Sequence, residues 1–143
     1  MTAINESLKM VGHLSIALNG ETVQEVPNLV VTDGKEYVAS RMKDTSASAM
    51  SHMAIGTGST AAAAGNAALG SEAHRNTLTS TSVSGAVVTY ACTFSAGQGT
   101  GAITEAGLFN ASSAGSMLCR TVFAVVNKGA NDSMTITWTV TVS

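Results

Sequence analysis

The chain is 143 residues long, enough for one domain that buries roughly 70% of its unfolded surface. Only 11% of the residues are charged, where about 25% is usual, and Ser, Thr, Gly and Ala fill the gap, so much of the surface suits contact with other subunits rather than open water. Seven scattered Lys and Arg in a net charge of −2 disfavour binding to a nucleic-acid backbone, and no apolar run nears the ~20 residues of a membrane span.

Residues 1–8 read as a polar N-terminal arm, followed by a single β domain over residues 9–143. The start, Met1-Thr-Ala-Ile-Asn-Glu-Ser, has no basic stretch leading into an apolar core. It therefore reads as lacking a signal peptide, with synthesis in a cytosol. From Lys9 to Leu18, Met10, Gly12, Leu14, Ile16 and Leu18 alternate with a second set, the period of a strand. Asn19-Gly20 is a hairpin signal, since both central residues of that turn favour positive φ. Glu21 to Glu25 returns, and Pro27 ends that strand or sets it on an edge. Thr32 or Asp33 caps a helix over residues 34–43, where Tyr37, Val38, Arg41 and Met42 recur at helical spacing.

A short strand covers Ser51 to Gly56 and runs into a loop over residues 56–70, rich in Gly, Thr and Ala. Leu69, Glu72 and Arg75 close it with one helical turn. From Arg75 to Ser84, Thr77, Thr79, Thr81 and Val83 alternate with Asn76, Leu78, Ser80 and Ser82, a strand polar on both sides that is exposed or faces another subunit. After Ser84-Gly85, Val88, Tyr90, Cys92 and Phe94 form the inward face of the next strand. Ala96 to Gly101 is a flexible connection, Ile103 to Asn110 a strand, and Ala111 to Gly115 a hairpin turn. Met117 to Val126 is apolar on both faces apart from Arg120 and Thr121, which places it centrally. The last strand alternates most cleanly: Met134, Ile136, Trp138 and Val140 on a dry face, Thr135, Thr137, Thr139 and Thr141 on the other. About eight strands with short Gly/Asn/Ser turns and one short helix predict a mainly β fold, an antiparallel β-sandwich of jelly-roll-like form. Its core holds Met134, Ile136, Trp138, Val140, Tyr90 and Phe94.

No catalytic signature stands out. Gly56-Thr-Gly58 and Gly97-Gln-Gly-Thr-Gly101 lack the Lys-Ser/Thr of a phosphate loop and the helix of a dinucleotide fingerprint, and read as flexible turns. His13, His52 and His74 have no zinc spacing, and Cys92 and Cys119 read as buried thiols rather than a disulfide. No nucleophile elbow is present. The expectation is no catalytic, cofactor or metal site. Glu105 is the charge of interest: on a strand, facing the same side as Ile103, it needs a partner. Arg120 across the hairpin is the natural one and Arg75 the second, giving an ion pair that fixes register.

The segment Ile103-Thr-Glu-Ala-Gly-Leu-Phe-Asn-Ala-Ser-Ser-Ala-Gly-Ser-Met-Leu-Cys-Arg-Thr-Val-Phe, with Val126-Asn-Lys-Gly and Asp132-Ser-Met-Thr-Ile-Thr-Trp-Thr-Val, resembles tailed-bacteriophage structural proteins. So does Met53-Ala-Ile-Gly-Thr-Gly ahead of Leu69-Gly-Ser-Glu-Ala-His-Arg. The likeness spans residues 28–143. It implies a β-rich, usually trimeric virion component, either a small accessory protein or a tail-fibre module. The short single domain and low charge favour a capsid cement or decoration protein: a homotrimer on the capsid surface that clamps the major capsid protein, with no nucleic acid or membrane as partner. Thr2, Ile4 and Asn5 of the arm and Thr57, Ser59 and Thr60 of the loop are the candidate capsid contacts. The alternative is a tail-fibre or tail-adaptor module that binds a host receptor or the baseplate. A carbohydrate-binding module ranks third, since aromatics make up only 4% of the chain, and an enzyme last.

Overall fold

A computed structural model describes residues 7–43 and 47–143. Nine strands and one helix follow in the order β1 (Met10–Leu18), β2 (Glu21–Val30), α1 (Thr32–Lys43), β3 (His52–Gly56), β4 (Glu72–Thr77), β5 (Ser80–Ser84), β6 (Val87–Phe94), β7 (Gly101–Phe109), β8 (Met117–Lys128) and β9 (Met134–Val142). They form one antiparallel sheet in the order β4-β3-β7-β8-β2-β1-β9-β6-β5, curled into a half-barrel. The fold is mainly β with one helix, as the patterning implies. The hydrogen bonding shows one continuous curled sheet.

The curl has a covalent cause. β4 and β5 are the two outermost strands, yet only Leu78 and Thr79 join them in the chain. A link that short spans roughly 10 Å even when extended, so the two edges of the sheet must meet there. The Leu78 N–H donates to Ser51 O (2.9 Å) and the Thr79 N–H to Ala91 O (2.8 Å), one bond to each side of the opening. Leu78 itself packs on the core. The single strand expected over Arg75–Ser84 is therefore two, and the helical turn expected near Leu69–Arg75 is instead the start of β4.

β9 lies between β1 and β6, with Ile16 and Cys92 flanking Ile136, and Leu14 and Tyr90 flanking Trp138. Trp138, Ile136, Met134, Leu14, Ile16, Cys92 and Phe94 are buried; Tyr90 is half-buried against them. They meet Met53, Ile55, Ile103 and Leu108 from β3 and β7 across the interior. On the outer face the threonines run side by side, and Thr93 and Thr135 share a hydroxyl hydrogen bond (3.0 Å).

At the first hairpin Asn19 and Gly20 take φ of 52° and 83°, the conformation that dipeptide favours. β2 does not stop at Pro27: it continues to Val30. Pro27 is tolerated because β2 pairs with β8 only at Leu29 and Val30, so the strand there has a ladder on the β1 side alone. Beyond that point Thr121 Oγ1 donates to Pro27 O (2.9 Å). The helix begins at Thr32 rather than Gly34. Asp33 does not act simply as a cap, since its Oδ2 accepts the Met117 N–H of β8 (2.7 Å). Gly34 lies against the backbone of Leu118, where any Cβ would collide with the carbonyl oxygen. Glycine is thus the condition for α1 sitting directly on β8.

Candidate functional site: a loop held by a buried carboxylate

Residues 57–71 leave β3 and return at β4 without a strand or helix of their own. What gives this long loop a shape is Glu105 on β7. Its carboxylate is fully buried and faces Gly56, its partner on β3. Oε2 accepts the N–H groups of Gly58 (2.6 Å) and Ser71 (2.7 Å), and Oε1 accepts that of Gly70 (2.7 Å). One side chain thereby grips both ends of the loop. Gly58 is part of the fit, because a Cβ there would overlap the carboxylate.

Arg120 on β8, 2% exposed, closes the arrangement. Its Nη2 and Nε donate to Glu105 Oε1 at 2.9 and 3.2 Å. The same guanidinium reaches into the loop, with Nη1 on Asn66 Oδ1 (2.9 Å) and Nη2 on Thr60 O (3.0 Å). Its planar fork suits such divided duty, which a lysine could not reproduce. Thr104 Oγ1 donates to Gly58 O (2.8 Å), and the Thr32 N–H to Ala64 O (2.8 Å), tying the loop to α1. Leu69 turns inward onto Val31, Ala54, Phe109 and Met117.

Burial by itself would raise the Glu105 pKa above its ordinary 4.5. The N–H groups of Gly70 and Ser71, the Arg120 side chain and the Gly58 N–H outweigh that and hold it lower. The carboxylate is charged at neutral pH, with both oxygens occupied. It is placed for holding backbone, not for exchanging protons with a substrate.

Arg75, the second candidate partner for Glu105, is engaged elsewhere. It binds Glu72 (2.8 Å), donates to the carbonyls of Ala111 and Ala114, and lies 3.7 Å over the Phe109 ring. His52 and Ser51 share a hydrogen bond (2.7 Å), His74 is bonded to Asn76 and stands edge-on to Phe94, and His13 is exposed. Cys92 and Cys119 are free, buried thiols; burial pushes Cys92 up to about 12 and raises Cys119 as well. Among the described residues no group of three or more His, Cys, Asp or Glu could hold a metal ion, and no helix is long and apolar enough to cross a membrane.

Thr57, Ser59 and Thr60 stand exposed on the pinned loop, with Ala61, Ala63, Ala64, Ala67 and Ala68 beside them. Thr2, Ile4 and Asn5 lie outside the described residues. Sequence reasoning found the Glu105–Arg120 pair but not its purpose. The glycines it took for flexible turns are the parts that let a carboxylate bind their N–H groups; Gly56-x-Gly58 and Gly70 beside a buried Glu were the available signal. In the other Gly-rich stretch the side chain of Gln98 is engaged instead: its Oε1 accepts from the Ser95 N–H and from Asn76 Nδ2, both at 2.9 Å. No protein-family model, no curated protein and no solved structure matches this chain.

Proposed function

We propose that this chain is a structural component of a tailed-bacteriophage virion, a capsid cement or decoration protein that bridges major capsid subunits as a homotrimer. The observation that carries the reading is the pinned loop. It presents a broad run of small, uncharged Thr, Ser and Ala side chains on a backbone fixed by Glu105 and Arg120. Small side chains lose little rotamer freedom when covered, and a fixed backbone has no ordering left to lose, so such a surface docks on a rigid shell at low entropic cost. The resemblance of residues 28–143 to phage structural proteins supports the same class. In fold terms we read the two facing halves of the curled sheet as a β-sandwich with one open side.

The mechanism is additive burial. Each copy covers parts of several shell subunits and makes their separation under internal pressure more costly. Contacts come from Thr57, Ser59 and Thr60 and from Thr2, Ile4 and Asn5 of the arm, and the protein acts on the capsid surface after synthesis in the host cytoplasm. The test is immunogold labelling of the parent virion, with copy number from quantitative mass spectrometry. Label over the whole shell at hundreds of copies is the expected result. Label at the tail at a few copies overturns it in favour of a tail-fibre or adaptor module.

A further inference from the structure

The chain holds eight asparagines, and Asn19 is the one followed by glycine. The backbone nitrogen that follows an asparagine can attack its side-chain amide and close a succinimide ring. A glycine in that place has no side chain to hinder the closure. Asn19 and Gly20 are both exposed at the tip of the first hairpin, and a Cβ built at Gly20 would meet nothing within 4 Å. Water therefore reaches the attacking nitrogen, and no neighbouring group shields it.

The Asn19 carboxamide, however, is held at both ends by the turn between β8 and β9. Its Nδ2 donates to Asp132 Oδ1 (2.9 Å), and its Oδ1 accepts the Ser133 N–H (3.0 Å). The Asn19 backbone N–H donates to Ser133 O (2.8 Å), so Ser133 is gripped from both sides. Asp132 is fixed in turn: its Oδ2 accepts the Gly129 N–H (2.7 Å), and its own N–H donates to Gly129 O (3.1 Å). The hydrogen bonds from Asn19 and then from Gly129 hold the Asp132 carboxyl below its ordinary 3.8. At neutral pH it accepts hydrogen bonds and has no proton to give.

We propose that Asn19 is a latent deamidation site, and that Asp132 and Ser133 keep it closed. In the reaction a bond forms between Gly20 N and Asn19 Cγ. The Gly20 proton passes to water, water returns a proton to Nδ2, and the Cγ–Nδ2 bond breaks to release ammonia. Water then adds to one ring carbonyl or the other, leaving an aspartate or an isoaspartyl link. Nothing is oxidised or reduced, and solvent water is the co-reactant. To meet Gly20 N, Cγ must first turn out of both its hydrogen bonds. The Asp132 carboxylate also sits on the leaving nitrogen, where it cannot protonate it. Conversion is one-way. An aspartate would set a second carboxylate where Nδ2 faced Asp132, and an isoaspartyl link lengthens the main chain of a two-residue turn. Either outcome loosens the end of the β1–β9 ladder, where Leu18 pairs with Met134. The inference goes beyond the capsid reading and does not rest on it.

Peptide mass spectrometry of the full chain, sampled over time at mildly alkaline pH, tests it. Four samples are compared: folded wild type, wild type in denaturant, Asp132→Ala and Asp132→Asn. Circular dichroism checks that the variants keep their strands; Asp132→Asn retains one acceptor and serves if Asp132→Ala does not fold. Folded wild type is expected to convert at Asn19 roughly tenfold or more slowly than the denatured chain, and Asp132→Ala roughly fivefold faster than folded wild type, with Asp132→Asn between them. Equal rates in folded and denatured wild type overturn the proposal. So does a folded variant that converts as slowly as wild type, which would place the protection in the turn's backbone rather than in Asp132.

Discussion

β9 and β7–β8 are strands of one sheet, held by different means. Along β9 each inward residue from Met134 to Val140 is apolar and buried, and each outward one is a threonine. Along β7 and β8 the buried positions include Glu105, Arg120, Thr121 and Lys128. The β1–β9–β6 region is stabilised by apolar area removed from water, about 25 cal/mol per Å². The β3–β7–β8 region carries charges that are tolerable only because each has partners. Those charges reach outside the sheet, to a loop that has no ladder of its own. The difference separates what makes the protein fold from what gives it a surface to present.

The comparison is broken most sharply at Glu105. Glu105→Ala leaves Arg120 buried without its anion and three N–H groups without an acceptor. It is expected to cost about 3–5 kcal/mol in chemical denaturation, with the loop released as well. Gly34→Ala comes next, since its methyl meets the Leu118 carbonyl and α1 must lift from β8; a loss of about 1–3 kcal/mol is expected, read by thermal melting. Ile136→Val removes one buried methylene from the apolar half and should cost about 0.5–1.5 kcal/mol without altering the loop.

Acid separates the halves by sign. The folded Glu105 pKa lies below its ordinary 4.5, so its contribution is complete above that value and disappears as pH falls through the folded one. Unfolding midpoints measured from pH 6 down to pH 2 should therefore fall below about pH 4.5. The fall should be as steep in Ile136→Val as in wild type, and shallower in Glu105→Gln.

The same division decides what was legible in the sequence. The alternation of β1 and β9 and the Asn19-Gly20 hairpin are local patterns, and they place Leu14, Ile16, Ile136 and Trp138 without knowledge of the rest of the chain. The Glu105–Arg120 pair lies across one hairpin, within reach of register arguments. The loop contacts are not: Glu105 meets Gly58 and Arg120 meets Thr60 at separations of 47 and 60 residues. No periodicity records such a contact. The break at Leu78-Thr79 was hidden for a related reason. The alternation of Thr and Ser runs on through it, and what divides the strand is Leu78 turning to the core between two edges that meet in space. Pro27 could be read from sequence as a strand end or an edge position, and the second holds locally: at Pro27 the strand is laddered on the β1 side only.

The central claim is that Glu105 fixes the 57–71 loop. Amide hydrogen exchange at Gly58, Gly70 and Ser71, compared between wild type and Glu105→Gln, tests it most directly. The account predicts protection of all three in the wild-type chain and its loss in the variant, while Ile136 and Trp138 on β9 stay protected. Protection at the three loop amides that is the same in both proteins would contradict it.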